Sequence, residues 1–357
     1  MVEFYEGFDA YSNTNFQNDM ILYGWNAAGA ANHAAGRNSY SGLPSQALNI
    51  TTGAGLGGYG QCYVSLPAGE IASRTVGFAC YMAATSRQGA ICSLYDGGTC
   101  QFSISWAGST GTFYVQTGSD DSTGPFTGGT CSGTFGAGAW YYVEFSFTLA
   151  TGASAITVKV NGTTVLNLTG LSTMTPSGNA QANNLAFGGL YGAGATLLID
   201  DIYVMSAANA FLGNTQCVYI PPTADSSHGN TAWTPDSGTV GYSRVNTLDP
   251  YGSTEYVQGT AIGQVETFSY TIPSAMTGNV NGVKVKCTTK QIDAGSPHAI
   301  SAVVEKSGTN YVDSNTKATT TTNGGAQNLM MTVNPATSSA FTTSDLSNCE
   351  FGIKLVS

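Results

Sequence analysis

Residues 140–170 read WYYVEFSFTLATGASAITVKVNGTTVLNLTG, and their two-residue period restricts the fold more than any other feature of the chain. Tyr141, Val143, Phe145 and Phe147 alternate with Trp140, Tyr142, Glu144 and Ser146, so each set owns one face of a strand. Ile156, Val158 and Val160 repeat the pattern, with Thr157 and Lys159 opposite. Asn161-Gly162 then supplies two residues that tolerate positive φ, as a type I′ hairpin turn requires. Leu166 and Leu168 alternate beyond the turn. The stretch predicts an antiparallel meander with one buried face.

Short apolar runs of the same kind continue along the chain, separated by Gly, Ser, Asn and Thr clusters, and no convincing amphipathic helix interrupts them. Charged residues are only 9%, against roughly a quarter in ordinary globular proteins. The 11% aromatics and the regular alternation nevertheless favour a folded sheet protein over disorder. Strands at this spacing predict an all-β chain of sandwich or jelly-roll type. In 357 residues there is room for two cores. After MSAANAFLGNTQC small residues take over and IPPTAD brings two prolines, which places a boundary near residue 214. The expected units are a jelly roll over 1–214 and a smaller β-sandwich over 215–357. In the second unit TFSYTIP, VNGVKVKC, HAISAVVEK, NLMMTVNP and EFGIKLVS read as strands. Residues 318–340 are polar and repetitive, consistent with a strand pair or a loop engaged by another subunit.

Chemistry is sparse. His33, His228 and His298 each sit in Gly/Ala/Ser/Pro-rich sequence and read as loop or surface residues. No nucleophile elbow, zinc-binding HExxH, phosphate loop or dinucleotide fingerprint occurs. Glu144 is alone on its strand, without the close carboxylate pair that glycoside hydrolysis needs. The expectation is a protein that is not an enzyme. Asp200-Asp201 in LLIDDIYVM is an acidic pair on an apolar strand, and alternation would send the two side chains to opposite faces. One of them then borders the core and requires a partner: backbone N–H groups, a scarce Arg or a metal. The structural choice is a tie to the EGFDAY segment; the other is a calcium site with Asp9, Asp200 and Asp201 as ligands. No other cofactor is indicated.

The eight cysteines form no CxxC pair, so free and mostly buried thiols are expected, with a Cys92–Cys100 disulfide as the alternative. A net charge of −10 with only 11 Lys and Arg disfavours nucleic acid. No apolar run of about 18 residues is present to cross a membrane as a helix. The opening MVEFYEGFDAYS lacks the pattern of a secretory signal, which predicts synthesis and folding in a cytoplasm.

EGFDAYS, the 140–170 meander and LLIDDIYVM before FLG together resemble the concanavalin A/laminin-G-like jelly-roll domain. Followed by a second β-domain, they resemble more closely the version found in structural proteins of tailed bacteriophages. The resemblance covers nearly the whole chain in order. It implies a virion component made in the host cytoplasm, a head decoration or tail accessory protein. Its partners would be capsid or tail proteins and further copies of itself, a trimer being a frequent arrangement. It carries no catalytic site. The alternative is a carbohydrate-binding module for host surface glycans. Trp140 and Tyr142, on the strand face opposite the core set, are candidate contact residues. Trp25, Trp106 and Trp233, beside Gly, Asn or Thr, are candidates to stack on a sugar ring.

Overall fold

In the computed structural model, residues 1–12, 14–27, 31–37, 43, 45–51, 61–66, 69, 71–84, 88–118, 128–150, 152–171, 178–188, 190–191, 196–247, 255–293, 295, 298–319 and 325–357 are described. The chain divides into two compact units, with the boundary between Val218 and Tyr219.

The first unit is a sandwich of two antiparallel sheets. One sheet contains β1 (Val2–Glu6), β3 (Ala31–Ala35), β4 (Gln46–Thr51), β6 (Ser73–Met82), β11 (Trp140–Thr148), β12 (Ser154–Val160), β13 (Thr163–Leu171) and β16 (Thr196–Met205). Its order is β13-β12-β11-β6-β16-β4-β3, and β1 pairs with the C-terminal half of β16. The other sheet contains β2 (Trp25–Ala27), β5 (Gln61–Ser65), β7 (Gln88–Asp96), β8 (Thr99–Ala107), β9 (Thr112–Thr117), β10 (Gly129–Thr130), β14 (Asn184–Gly188) and β15 (Leu190–Tyr191). Its order is β10-β9-β8-β7-β14-β5-β2, with β15 beside β7. Non-sequential neighbours such as β6–β16 and β7–β14 give the crossed connections of a jelly roll.

The expected meander is present. Val160 pairs with Thr163 across Asn161 (φ 49°) and Gly162 (φ 80°), both in the left-handed region that the tight turn demands. Val143, Phe145 and Phe147 point between the sheets, as the alternation requires. There Phe145 meets Phe102 of the facing sheet at a ring separation of 5.6 Å, and Phe78 meets Phe187 at 5.2 Å. Each such ring contributes roughly 2–3 kcal/mol through burial, so this aromatic layer holds the sheets together. A seven-residue helix, α1 (Phe16–Leu22), adds Phe16 and Met20, one turn apart, to the same core. It is too short to show as a helical period in the sequence.

Alternation fails at one place. Ile199 and Ile202 both face the core, and the register of β16 against β6 shifts between Asp200 and Tyr203. Asp201 is the extra residue of this bulge, with φ 50°. Asp200 and Tyr203 consequently lie on the outer face, and Asp201 does not take the Ile199 and Tyr203 side of a regular strand.

The second unit is built on β17 (Pro222–Asp225), β20 (Val265–Tyr270), β22 (Ala299–Lys306), β23 (Thr309–Ala318) and β25 (Glu350–Leu355), in the order β17-β20-β25-β22-β23. A second layer pairs β21 (Val283–Thr289) with β24 (Gly325–Met331), and β18 (Thr234–Pro235) pairs with β19 (Val257–Gln258). Ile300, Val304, Leu329, Met331, Phe341 and Phe351 form its separate core. The polar stretch 318–340 supplies β24, while residues 320–324 lie outside the described set. Thr342 caps the short helix α2 (Thr343–Asn348) in a reciprocal box with Asp345. No helix among the described residues is long and apolar enough to cross a membrane. No disulfide joins any of the eight cysteines, and six of them are buried.

Candidate functional site

Three regions of the first unit bear on function, and the Asp200-Asp201 pair is the first. Arg37 follows β3 and approaches the outer side of the bulge. Its guanidinium lies 2.7 Å from Asp201 Oδ2, donates to the Thr215 carbonyl at 2.6 Å and to Asn214 Oδ1, and sits 5.0 Å from the centre of the Tyr142 ring. The Arg37 backbone N–H donates to Asp200 Oδ2 at 2.9 Å, and the Cys217 N–H to Asp201 Oδ1 at 2.7 Å. Burial, then the neighbouring Asp201 carboxylate, push Asp200 well above the usual carboxylate range, against the pull of the Arg37 and Asp201 backbone N–H groups that bond it. Asp9 instead accepts from the Gln46 N–H at 2.7 Å. Asp9, Asp200 and Asp201 do not converge as one ligand set among the described residues. The cation beside the pair is Arg37, which pins residues 214–217 to the end of the sheet.

The outer face of β11 is the second region. Tyr142 is 1% exposed; its hydroxyl donates to the Asp201 carbonyl at 3.1 Å and also bonds Thr215 Oγ1. Glu144 is equally buried, and its Oε1 accepts from Tyr203 Oη at 2.5 Å and from the Gly213 N–H at 2.8 Å. Residues 206–217 therefore cover this face, and Tyr142 is not a surface contact. Trp140, half-buried, packs on Tyr81 at 5.7 Å. Trp25 (2%) and Trp106 (0%) are core residues between the sheets rather than surface rings, and sugar cannot reach them there. Trp106 Nε1 donates to the Phe135 carbonyl at 3.0 Å, which fixes its ring within the sandwich. Trp233 is a half-buried residue packed against the core of the second unit. Alternation separates two faces of a strand but does not say which irregular segment covers the outer one, so these rings were misplaced from sequence.

The third region was not singled out from sequence. It is the face of the β2–β5–β14–β7–β8–β9 sheet turned away from the core. The register places Gln116, Ser103, Ser93, Ala186, Tyr63 and Asn26 in one row across six strands. All eight strands of this sheet contain a single charged residue, Asp96, at the end of β7. The row has two parts. On β8 and β9 the side chains are buried and bonded to one another, Ser105 to Gln116 at 2.6 Å and Ser103 to Ser105 at 3.1 Å. On β2 and β5 they reach the surface, while Ala186 of β14 is buried. Tyr63 is 38% exposed, and its hydroxyl accepts from Asn26 Nδ2 at 2.5 Å. Ser65 donates to Asn184 Oδ1 at 3.1 Å, and Gln61 meets Tyr95 Oη at 3.2 Å. The platform thus presents amides, hydroxyls and phenol rings whose geometry is already fixed by mutual hydrogen bonds.

No protein family model matches the chain, and no curated protein does. Among solved structures, the alginate lyase Aly36B is 15% identical, over 57% of this chain and 96% of its own, with a TM-score of 0.40. The carbohydrate binding module CBM66 from Bacillus subtilis is 8% identical over 51% and 96%, with a TM-score of 0.34. A protein of unknown function with a galectin-like fold, also from Bacillus subtilis, is 10% identical over 58% and 96%, with a TM-score of 0.37. The fold assignment rests on the strand pairing itself, and no chemistry passes from these proteins to this chain.

Proposed function

We propose that the first unit binds a neutral glycan on the exposed part of the β2–β5–β14 platform, without turning it over. The observation that carries this reading is a sheet face with a 38% exposed Tyr63 ring set among Asn26, Ser65 and Asn184, on strands that contain no basic residue. An aromatic face stacks on the C–H side of a pyranose ring, while flanking amides donate to and accept from its equatorial hydroxyls. A uronate or sulfated polymer would require cations, which strands β2, β5 and β14 do not contain, and would meet a chain of net charge −10. The preference is therefore for uncharged hexose polymers.

The test is retention of the full chain on immobilised neutral and acidic glycans, with Tyr63→Ala alongside. Binding to a neutral glycan that weakens at least about tenfold in Tyr63→Ala is expected, the size of a lost aromatic anchor. Binding unaffected by Tyr63→Ala, or confined to acidic polymers, would refute the proposal. Release of sugar fragments on long incubation would make the protein an enzyme and refute the non-catalytic half. A place in a virion, beside capsid or tail proteins, is what the sequence resemblance implies. Immunogold labelling of intact particles tests it, and unlabelled particles would remove it.

A further inference from the structure

In the second unit, Glu305 on β22 and Glu350 on β25 are directly opposed cross-strand neighbours. They occupy the sheet face away from the Ile300/Val304/Phe351 core, and they are 0% and 5% exposed. Two carboxylates buried side by side repel each other and lose hydration, so the pair requires compensation. Glu350 has it in full. Its Oε2 accepts from Ser226 Oγ at 2.6 Å and Thr267 Oγ1 at 2.9 Å; its Oε1 accepts from the Ser227 N–H at 2.7 Å, Ser227 Oγ at 2.8 Å and Ser269 Oγ at 3.2 Å. Glu305 does not. Its Oε1 accepts from the Gly308 N–H, while its buried Oε2 accepts from no hydroxyl or backbone N–H among the described residues. That oxygen points at Nδ1 of His228, 2.8 Å away in the turn after β17, and the same nitrogen is 3.5 Å from Glu350 Oε1. His228 is 39% exposed, so the group opens to solvent on one side only.

We propose that His228, Glu305 and Glu350 form a binding site for one divalent transition-metal ion, Zn²⁺ being the best match. A zinc ion about 2.0–2.2 Å from each donor sets neighbouring donors about 3–3.5 Å apart, and here His228 Nδ1 lies 2.8 and 3.5 Å from the two carboxylates, with all three donors within 4.8 Å of one another. One imidazole and two carboxylates suit a borderline cation. Ca²⁺ would require six to eight oxygens, and this site offers two carboxylates and a nitrogen. The open side next to His228 leaves a coordination position for water. Ser227 Oγ, which also lies 3.2 Å from His228 Nδ1, and Ser269 Oγ are hydroxyls that can rotate their protons away, so that Glu350 Oε1 would keep the Ser227 N–H bond beside the ion. The ion would add positive charge between two buried carboxylates that both face the single imidazole of His228.

The experiment is calorimetric titration of the chelator-stripped full chain with Zn²⁺, with Ca²⁺ as a parallel arm. Thermal unfolding is followed in the same samples. One zinc per chain, a rise in unfolding temperature and no response to calcium are expected. His228→Gln and Glu305→Gln should each weaken zinc binding at least about tenfold. His228→Gln changes a turn residue and is expected to fold, which keeps the test open if Glu305→Gln does not. Absence of zinc heat and of stabilisation would overturn the proposal and leave the group as a histidine–carboxylate ion pair. Undiminished binding in both variants would overturn it equally, since the zinc would then sit elsewhere.

Discussion

At the scale of single residues, the two clearest dependences are buried charges. Arg37 provides the guanidinium for Asp201 and fixes Asn214 and Thr215 from the same head group. Arg37→Met would keep much of the packing but strand Asp201, at a cost of about 3–5 kcal/mol. Urea unfolding of the first unit should show this loss, and Arg37→Met/Asp201→Asn should recover part of it; a loss below about 1 kcal/mol would mean that water reaches Asp201. Glu266 works in the opposite sense. It is 1% exposed, shares the core side of β20 with Phe268, and accepts from the Trp233 N–H at 3.0 Å. Burial pushes it up to about 7, in spite of that N–H, and nearby Asp225 adds to the rise. The folded state therefore holds a proton that the unfolded chain has released from about pH 4.5 upward. Its favourable contribution is complete below pH 4.5 and is lost as pH rises through 7, on the order of 2–3 kcal/mol in all. Glu266→Gln should flatten this slope, gaining on the parent between pH 5 and pH 8; parallel curves for the two proteins would refute the assignment.

At the scale of elements, the central β6–β16–β11 region depends on a missing side chain. Gly77 lies opposite both Glu144 and Tyr203, and a Cβ there would come 2.2 Å from Tyr203 Cε1. The absence of that carbon lets the tyrosine ring lie across β6 and reach Glu144. Gly77→Ala should cost about 1–3 kcal/mol by forcing the ring away, and Tyr203→Phe a comparable amount by leaving Glu144 under-bonded. A melting temperature unchanged in Gly77→Ala would show that the ring has room to move. The strands themselves were legible: the 140–170 meander, its Asn161-Gly162 turn, and the alternating runs of the second unit follow directly from period and turn chemistry. The bulge at Asp201 was not, because one inserted residue leaves no mark on an apolar run. The cover over Tyr142 and Glu144 comes from residues 206–217, which have no period to read. Glu305 and Glu350 meet through the pairing of β22 with β25, and His228 reaches them from a turn more than a hundred residues before Glu350, so no local spacing announces the three. The platform around Tyr63 was hidden by its own plainness, since Asn, Gln and Ser in a strand read as ordinary solvent-facing positions.

At the scale of the whole molecule, the scarcity of charge becomes a statement about binding. With 21 acidic and 11 basic residues, the chain has little with which to attract a polyanion. Contacts made through amides, hydroxyls and a phenol ring are barely screened by salt. Retention on a neutral glycan should therefore be nearly constant from dilute buffer to about 1 M salt, where the screening length has shrunk to about 3 Å. A steep fall over that range would point to charged contacts and away from the Tyr63 platform.

The free thiols give the protein built-in clocks. Cys62, Cys80, Cys92 and Cys131 are distributed through the core of the first unit, and burial pushes each thiol upward, to about 12 for Cys62 and Cys131. Cys349 lies buried in the second. A thiol in that state reacts with an alkylating reagent only when its surroundings open. The rate at which each cysteine is alkylated, resolved by peptide mass, would thus report how often each part of either sandwich breathes, with no label engineered into the chain.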